Sequence, residues 1–418
     1  MLSKMDISLF DLIMCLSDTM DLINKNLSNH HKKTAYIACC IAEEMHLPIN
    51  HLNDILIAAS LHDIGALTLS EKLKALDFEG TDLHTHGELG FLLLKTFSYF
   101  EKVSVLVKFH HVFWKDGEGA EFKGKTVPLG SHIIHLADRI DTLIKKNENI
   151  LTQASVIREA INKQSGKMFI PELVKAFNSL SKKEFFWLDI VSPFLEKTLS
   201  RKYQLPIFQL NIDNLISLVK LFSRIIDFRS KFTSTHSSGV AASSKALAKL
   251  VGFSGNECQL IEFAGYLHDL GKLVVPIEIL EKPGKLTKQE YEVMKSHTFY
   301  TYRSLERVKA FDTINLWSSF HHERLNGKGY PFHCSSKDIP LGSRIVAVAD
   351  VFTAITEDRP YRKGMEDEQA LKILQDMADK RELDSSLVEL IKSNYDHVNN
   401  IRIEAQDKST QEYNKFIS

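Results

Sequence analysis

Residues 266–273 read YLHDLGKL, and residues 60–67 read SLHDIGAL. A His-Asp pair alone is a common dipeptide, but each pair here occupies the same place in a longer series. A single histidine precedes each pair by 32 residues, His30 before His62-Asp63 and His236 before His268-Asp269. A further histidine, His86 or His297, precedes a doublet, His110-His111 or His321-His322, by 24 residues in both cases. Each series closes on an aspartate at the end of related words, VPLGSHIIHLAD to Asp138 and IPLGSRIVAVAD to Asp350, 28 and 29 residues past the doublet's first histidine. The one sizeable difference in length is 24 against 29 residues between the pair and the next histidine. Agreement of separations at this level marks a duplicated structural unit. The chain reads as two copies of one domain, residues 1–203 and 204–418, with the junction near Arg201 to Pro206.

The remaining sequence is consistent with that division, since 418 residues suit two domains of about 100–200 residues. Glycine and proline are sparse at 19 and 10, and apolar residues recur at three- and four-residue intervals, as in Ile212, Leu215, Ile216, Val219, Phe222 and Ile226. That period belongs to amphipathic helices, so the expected fold class is all-α, two tandem helical domains. Ser254 (SGNE) and Thr287 (TKQE) have the form of capping boxes at helix starts. Residues 117–124 and 326–331 read as loops, and Val274 to Ile277 as an extended connection between helices. The lysine pairs beginning at Lys32, Lys145 and Lys182 read as solvated helix faces, and the polar tail after Ile401 as a frayed helix or disorder.

Charge and composition exclude several classes. With 52 Lys and Arg against 53 Asp and Glu, there is no electrostatic excess for general binding to DNA or to a membrane. Asp6, Asp11 and Asp18 interrupt the N-terminal apolar residues, which therefore suit neither a signal peptide nor a membrane span. Five cysteines without a CxxC pair suggest a reducing compartment, so a cytoplasmic location is expected.

The chemistry lies in the histidines, 18 in all, of which ten fall in the two matched series. Each series offers five imidazoles and two carboxylates, donors suited to iron, manganese, zinc and similar ions. Seven such side chains exceed the needs of a single ion, whereas an aspartate can bridge two. A pair of divalent ions about 3.5–4 Å apart can polarise a phosphate, acidify water and stabilise a leaving oxygen. Phosphoester hydrolysis is the reaction class this implies.

Three words in the second half, HDLGK (268–272), HHERLNGKGYP (321–331) and ADVFTAITEDRPYR (349–362), resemble the HD-GYP subgroup of the HD phosphohydrolase superfamily. The resemblance implies an all-helical, metal-dependent phosphodiesterase that opens bacterial cyclic dinucleotides, cyclic di-GMP or 3′,3′-cyclic GMP-AMP. It would place His236, His268, Asp269 and Asp350 on one metal and Asp269, His297, His321 and His322 on the other, with iron or manganese as the expected ions. Lys272 would join Asp269 at the reacting phosphate, while Arg359 and Arg362 would hold phosphate. Gly329 lets backbone approach the substrate, and Tyr330 either stacks on a base or packs against its own loop. Phe232, Gly239, Asn326 and Thr301 stand where the family usually has glutamate, arginine, aspartate and glycine. Without that glutamate, two metals rather than three are expected.

The first half keeps His30, His62, Asp63, His86, His110, His111 and Asp138 as a second candidate metal site. His31 is a neighbouring rival for the first position. However, Ala66 replaces the lysine, GEGAEF (117–122) replaces the GYP word, and nothing like DRPYR follows Asp138. This HD domain therefore reads as a regulatory partner, a 5′-nucleotidase for smaller phosphomonoesters, or a sensor. For the whole chain, the rival to an enzyme is a cyclic-dinucleotide receptor with structural metals that docks a GGDEF-type protein. A homodimer is compatible with either.

Overall fold

The computed structural model describes residues 5–23, 29–66, 84–227, 235–358 and 363–417. The chain divides into two compact units, Ser8–Ile207 and Phe208–Ser418, the latter joined by the N-terminal residues up to Ile7. Helices form nearly all the regular structure. The strands among the described residues are two short pairs, Met5–Ser8 with Ile207–Leu210 and Glu121–Phe122 antiparallel to Lys125–Thr126.

Each unit is built round a helix that opens on the first histidine of its series. In the first unit His30–Glu44 packs against Ile49–Ser60 and Leu129–Thr142. In the second, His236–Val251 packs against Gly255–Leu267, Leu341–Thr356 and the C-terminal helix Tyr395–Ile417. Both central helices are rich in small residues, such as Ala35, Ala38, Cys39 and Ala42, or Ser237, Gly239, Ala241 and Ser244, all buried. A helix surrounded on most sides must be small-sided so that its neighbours can approach to the usual 8–10 Å.

The histidines are brought together by one further close approach. A Cβ on Gly271, two residues after Asp269, would lie 1.9 Å from the carbonyl oxygen of His297; on Gly65 it would lie 2.0 Å from that of His86. Only glycine lets the turn after each His-Asp pair rest against the backbone of the helix carrying the third histidine. Ser254 and Thr287 both form complete capping boxes, with Glu257 and Glu290.

Val275 and Pro276 form the extended connection expected there, between a 3-10 turn, Leu270–Val274, and a one-turn helix, Ile277–Leu280. Three local expectations change. Residues 117–124 contain half of the small antiparallel pair rather than loop alone. Lys32 is buried between Asp18 and Glu196, at 2.7 and 2.8 Å, so it is an interior ion pair and not a solvated face. The polar tail is helical through Ile417, because Arg402 and Gln406 turn inward and find buried polar partners.

Candidate functional site

Five ligand candidates share one local device. His268, His297 and His321 each place Nδ1 within 2.6–2.7 Å of the carbonyl three residues earlier, on Gly265, Met294 and Ser318. His62 and His110 do the same with Ala59 and Val107, at 2.8 and 2.5 Å. A carbonyl can only accept, so Nδ1 carries the proton and Nε2 presents its lone pair inward.

Those lone pairs converge on carboxylates. In the second unit, Nε2 of His268 and of His297 lie 3.1 and 3.5 Å from the two different oxygens of Asp269. Nε2 of His236 lies 3.1 Å from Asp350, and those of His297 and His321 are 3.3 Å apart. His322 closes the cluster beside His297 and His321. In the first unit Asp63 is central in the same way, with His62 and His86 at 3.6 and 3.4 Å, His30 and His110 both at 3.9 Å. His30 reaches Asp138 at 3.3 Å, and His111 lies 3.0 Å from His86. The structure thus gathers each set of seven. The ligand atoms that cluster with His62 and Asp63 are those of His30 and not of His31, whose Nδ1 bonds Asp21 at 2.6 Å.

A cation fits these donors. Nε2 of His62 and His268 and Oδ1 of Asp63 are buried without a hydrogen-bond partner, and buried polar atoms seldom stay unsatisfied. Facing lone pairs at about 3 Å need a positive centre between them. Burial and neighbouring histidines push His321 and His322 well below the usual imidazole range, as in His110 and His111. His297 falls to about 4 through burial. Burial opposes charge on Asp269, yet His268 and Lys272 hold it well below the usual carboxylate range. Neutral imidazoles and ionised carboxylates are the protonation states that metals require; His30 and His236 differ, since although burial opposes their charge, Asp138 with Asp141 and Glu357 with Asp350 raise them to about 10.

The HD domain family matches residues 27–143 and 220–387, one match over each cluster. The chain is 28% identical to 3′3′-cGAMP-specific phosphodiesterase 1 of Vibrio cholerae over 93% of its own length and 92% of that protein's. It is 33% identical to 3′3′-cGAMP-specific phosphodiesterase 3 of the same organism and 32% to a cyclic di-GMP phosphodiesterase of Thermotoga maritima, spanning 56% and 61% of those proteins. A crystal structure described as a cyclic GMP-AMP specific phosphodiesterase of V. cholerae superposes with a TM-score of 0.67 at 23% identity, covering 94% of this chain and 98% of that one. The chain belongs to the HD-GYP family, with two HD domains in tandem.

In this HD-GYP protein a cavity of about 470 Å³ opens beside the second cluster, with Lys272, His297, His322, Arg324, Lys328 and Tyr330 in its wall. Lys272 lies one turn past the His-Asp pair with Nζ 2.6 Å from Asp269. Tyr330 packs its ring on His322, centroids 4.9 Å apart, and its N–H donates to the His322 carbonyl at 3.2 Å. Gly329 is required here, since a Cβ would meet the backbone nitrogen of Arg324 at 2.3 Å. Asn326 donates from Nδ2 to the carbonyl of Lys380 at 3.0 Å, a bond that the family's usual aspartate could not make. Thr301 accepts from the N–H of Gly271 at 2.9 Å and donates to the carbonyl of His268 at 3.1 Å, so it ties the His-Asp turn to the next histidine's helix. Arg359, Arg362 and Phe232 lie outside the described residues.

Sequence reasoning missed several supporting residues. Glu323, after the doublet, is buried and accepts from the N–H groups of Phe332 and Cys334 at 2.7 and 3.0 Å, which folds the segment after the GYP word. Arg324 and Lys328 were not singled out, although both stand in the HHERLNGKGYP word. In the first unit Arg139 is fully buried and donates to Asp138 at 2.6 Å, where the second unit has Val351. The carboxylates behind the first histidines, Asp141 and Glu357, also escaped notice.

Proposed function

We propose that the protein is a metal-dependent phosphodiesterase whose second HD domain opens a bacterial 3′,5′-cyclic dinucleotide, either 3′,3′-cyclic GMP-AMP or cyclic di-GMP. The observation that carries this reading is the lysine and arginine wall beside a complete ligand set: Lys272, Arg324 and Lys328 adjoin His297 and His322 in one cavity. His236, His268, Asp269 and Asp350 would hold one divalent ion, and Asp269, His297, His321 and His322 the other, with iron or manganese as the occupants. Such ions supply Lewis acidity toward phosphate and acidify water.

The chain's own groups then divide the work. Asp269 presents one oxygen to each group of histidines and remains ionised, so it acts as the shared carboxylate. Lys272 is placed to offset negative charge that grows on phosphorus during attack. Arg324 and Lys328 bind the phosphates, Arg359 and Arg362 add to that grip, and Tyr330 with Gly329 shapes the mouth against a base. The linear dinucleotide is the first product, and a slower second cut would yield mononucleotides.

The relatives' names favour turnover over a receptor role, since a V. cholerae protein matched over 93% of this chain and a T. maritima protein matched over 57% of it are both named as phosphodiesterases. The first HD domain holds its ions as a regulatory partner or acts on smaller phosphomonoesters such as a 5′-phosphate. Among the described residues no helix is long and apolar enough to cross a membrane, and we assign the enzyme to the cytoplasm. The test is to load the protein anaerobically with iron or manganese, measure its metal content, and follow both cyclic dinucleotides by chromatography. No turnover of either by fully loaded protein would sink the reading.

A further inference from the structure

The first histidine of each series is oriented differently from the five that bond a carbonyl three residues earlier. His30 and His236 open their helices. Each meets a carboxylate instead. Nδ1 of His30 is 2.7 Å from Asp141, and Nδ1 of His236 is 3.0 and 3.2 Å from the two oxygens of Glu357.

The two carboxylates come from matching places by different spacing. Asp141 is three residues past Asp138, and Glu357 is seven past Asp350. At 3.6 residues per turn both offsets return to the helix face that carries the distal aspartate. One helix, extended in the second unit by its C-terminal capping residue Glu357, therefore presents a carboxylate to Nε2 of the first histidine and another to its Nδ1.

In the second unit the arrangement continues outward. Glu357 is 5% exposed, and Gln406 donates to it from Nε2 at 3.0 Å. Arg402, also buried, donates to the amide oxygen of Gln406 and at 2.8 Å to Asn399. Space for Gln406 exists because residue 239 is glycine: a Cβ there would lie 2.9 Å from its Nε2. A buried carboxylate with ordered partners on both sides holds a fixed direction.

We propose that Glu357 is a positioning residue that turns Nε2 of His236 toward the metal, and that the C-terminal helix, through Gln406 and Arg402, sets the affinity of the catalytic centre. This rests on the reading of His236 as a ligand. Partners of this kind behind a ligating histidine change metal affinity by about 10- to 100-fold when removed.

The experiment titrates the metal-free full chain with Mn²⁺ and reads free Mn²⁺ by electron paramagnetic resonance, with circular dichroism as the check on folding. Glu357→Ala is expected to weaken one class of sites by about 10- to 100-fold. Glu357→Gln should weaken it less, because an amide oxygen still accepts from Nδ1–H, and Gln406→Ala should also weaken it. Wild-type affinity in Glu357→Ala, or equal losses in the Ala and Gln variants, overturns the proposal. If Glu357→Ala does not fold, Glu357→Gln and Gln406→Ala decide, and wild-type affinity in both overturns it. His236→Ala separates the two levels: if it too binds Mn²⁺ with wild-type stoichiometry and affinity, the ligand assignment itself fails.

Discussion

The two HD domains share a cluster of histidines and aspartates and differ in the residues round it. Where the second has Lys272 beside the shared aspartate, the first has the buried Ala66. Where the second has Val351, the first has Arg139, whose guanidinium takes an oxygen of Asp138. Thr301 in the second corresponds to Gly90 in the first, four residues past the third histidine in each. In the proposed function, holding a cation and gripping a phosphate fall to separate residues, so a duplicated domain can lose the second without disturbing the first.

The sharpest way to break this contrast is at the shared aspartates. Asp269→Ala should reduce ring opening by more than about 100-fold, beyond the 10- to 100-fold typical of a partner one shell further out, whereas Asp63→Ala should leave it within about twofold. Chromatography of cyclic dinucleotide digests reads both, and loss of ring opening in a folded Asp63→Ala protein would reverse the assignment of the domains. Lys272→Ala comes next: kcat is expected to fall by about 10²- to 10³-fold, as for loss of one charge-stabilising donor, with bound metal unchanged. A parallel loss of metal would instead make Lys272 a structural partner of Asp269.

Metal removal sharpens the comparison from the side of stability. An ion that binds only the folded state at about 100 times its Kd stabilises it by roughly 2.7 kcal/mol. Chelation should therefore lower the melting temperature of the wild-type protein, and Asp63→Ala should abolish only the part of that shift due to the first unit. Asn326→Asp removes the donor to Lys380, a bond worth about 1 kcal/mol; KM should rise a few-fold with metal content unaltered. The smallest effect concerns helix starts. Ser254→Ala dismantles a capping box and should cost the second unit about 1 kcal/mol, measured by denaturant unfolding. The matching position in the first unit is Pro48, which has no side-chain cap to lose.

All fourteen ligand candidates were legible because their spacing repeats, and a repeated interval is a signal that needs no knowledge of packing. The helical class followed from apolar periodicity, and the helix starts at Ser254 and Thr287 from capping chemistry. Asp141 and Glu357 were invisible because they sit at different offsets, three and seven, and become equivalent only once wound on a helix. Lys32 and the tail beyond Ile401 misled for a related reason. Their polar character was read as solvation, whereas the half-buried Asp18 and Glu196, or the buried Glu357, supply partners from elsewhere in the chain.

Gly65 and Gly271 constrain how such a domain can drift. A side chain at either position would collide with the carbonyl of the third histidine, so the turn after the His-Asp pair is under selection for folding before any reaction is considered. An HD word that persists in the first half is therefore no evidence of turnover there. Activity in a sister domain should be sought instead in the residue three past the His-Asp pair's aspartate, Ala66 in one unit and Lys272 in the other.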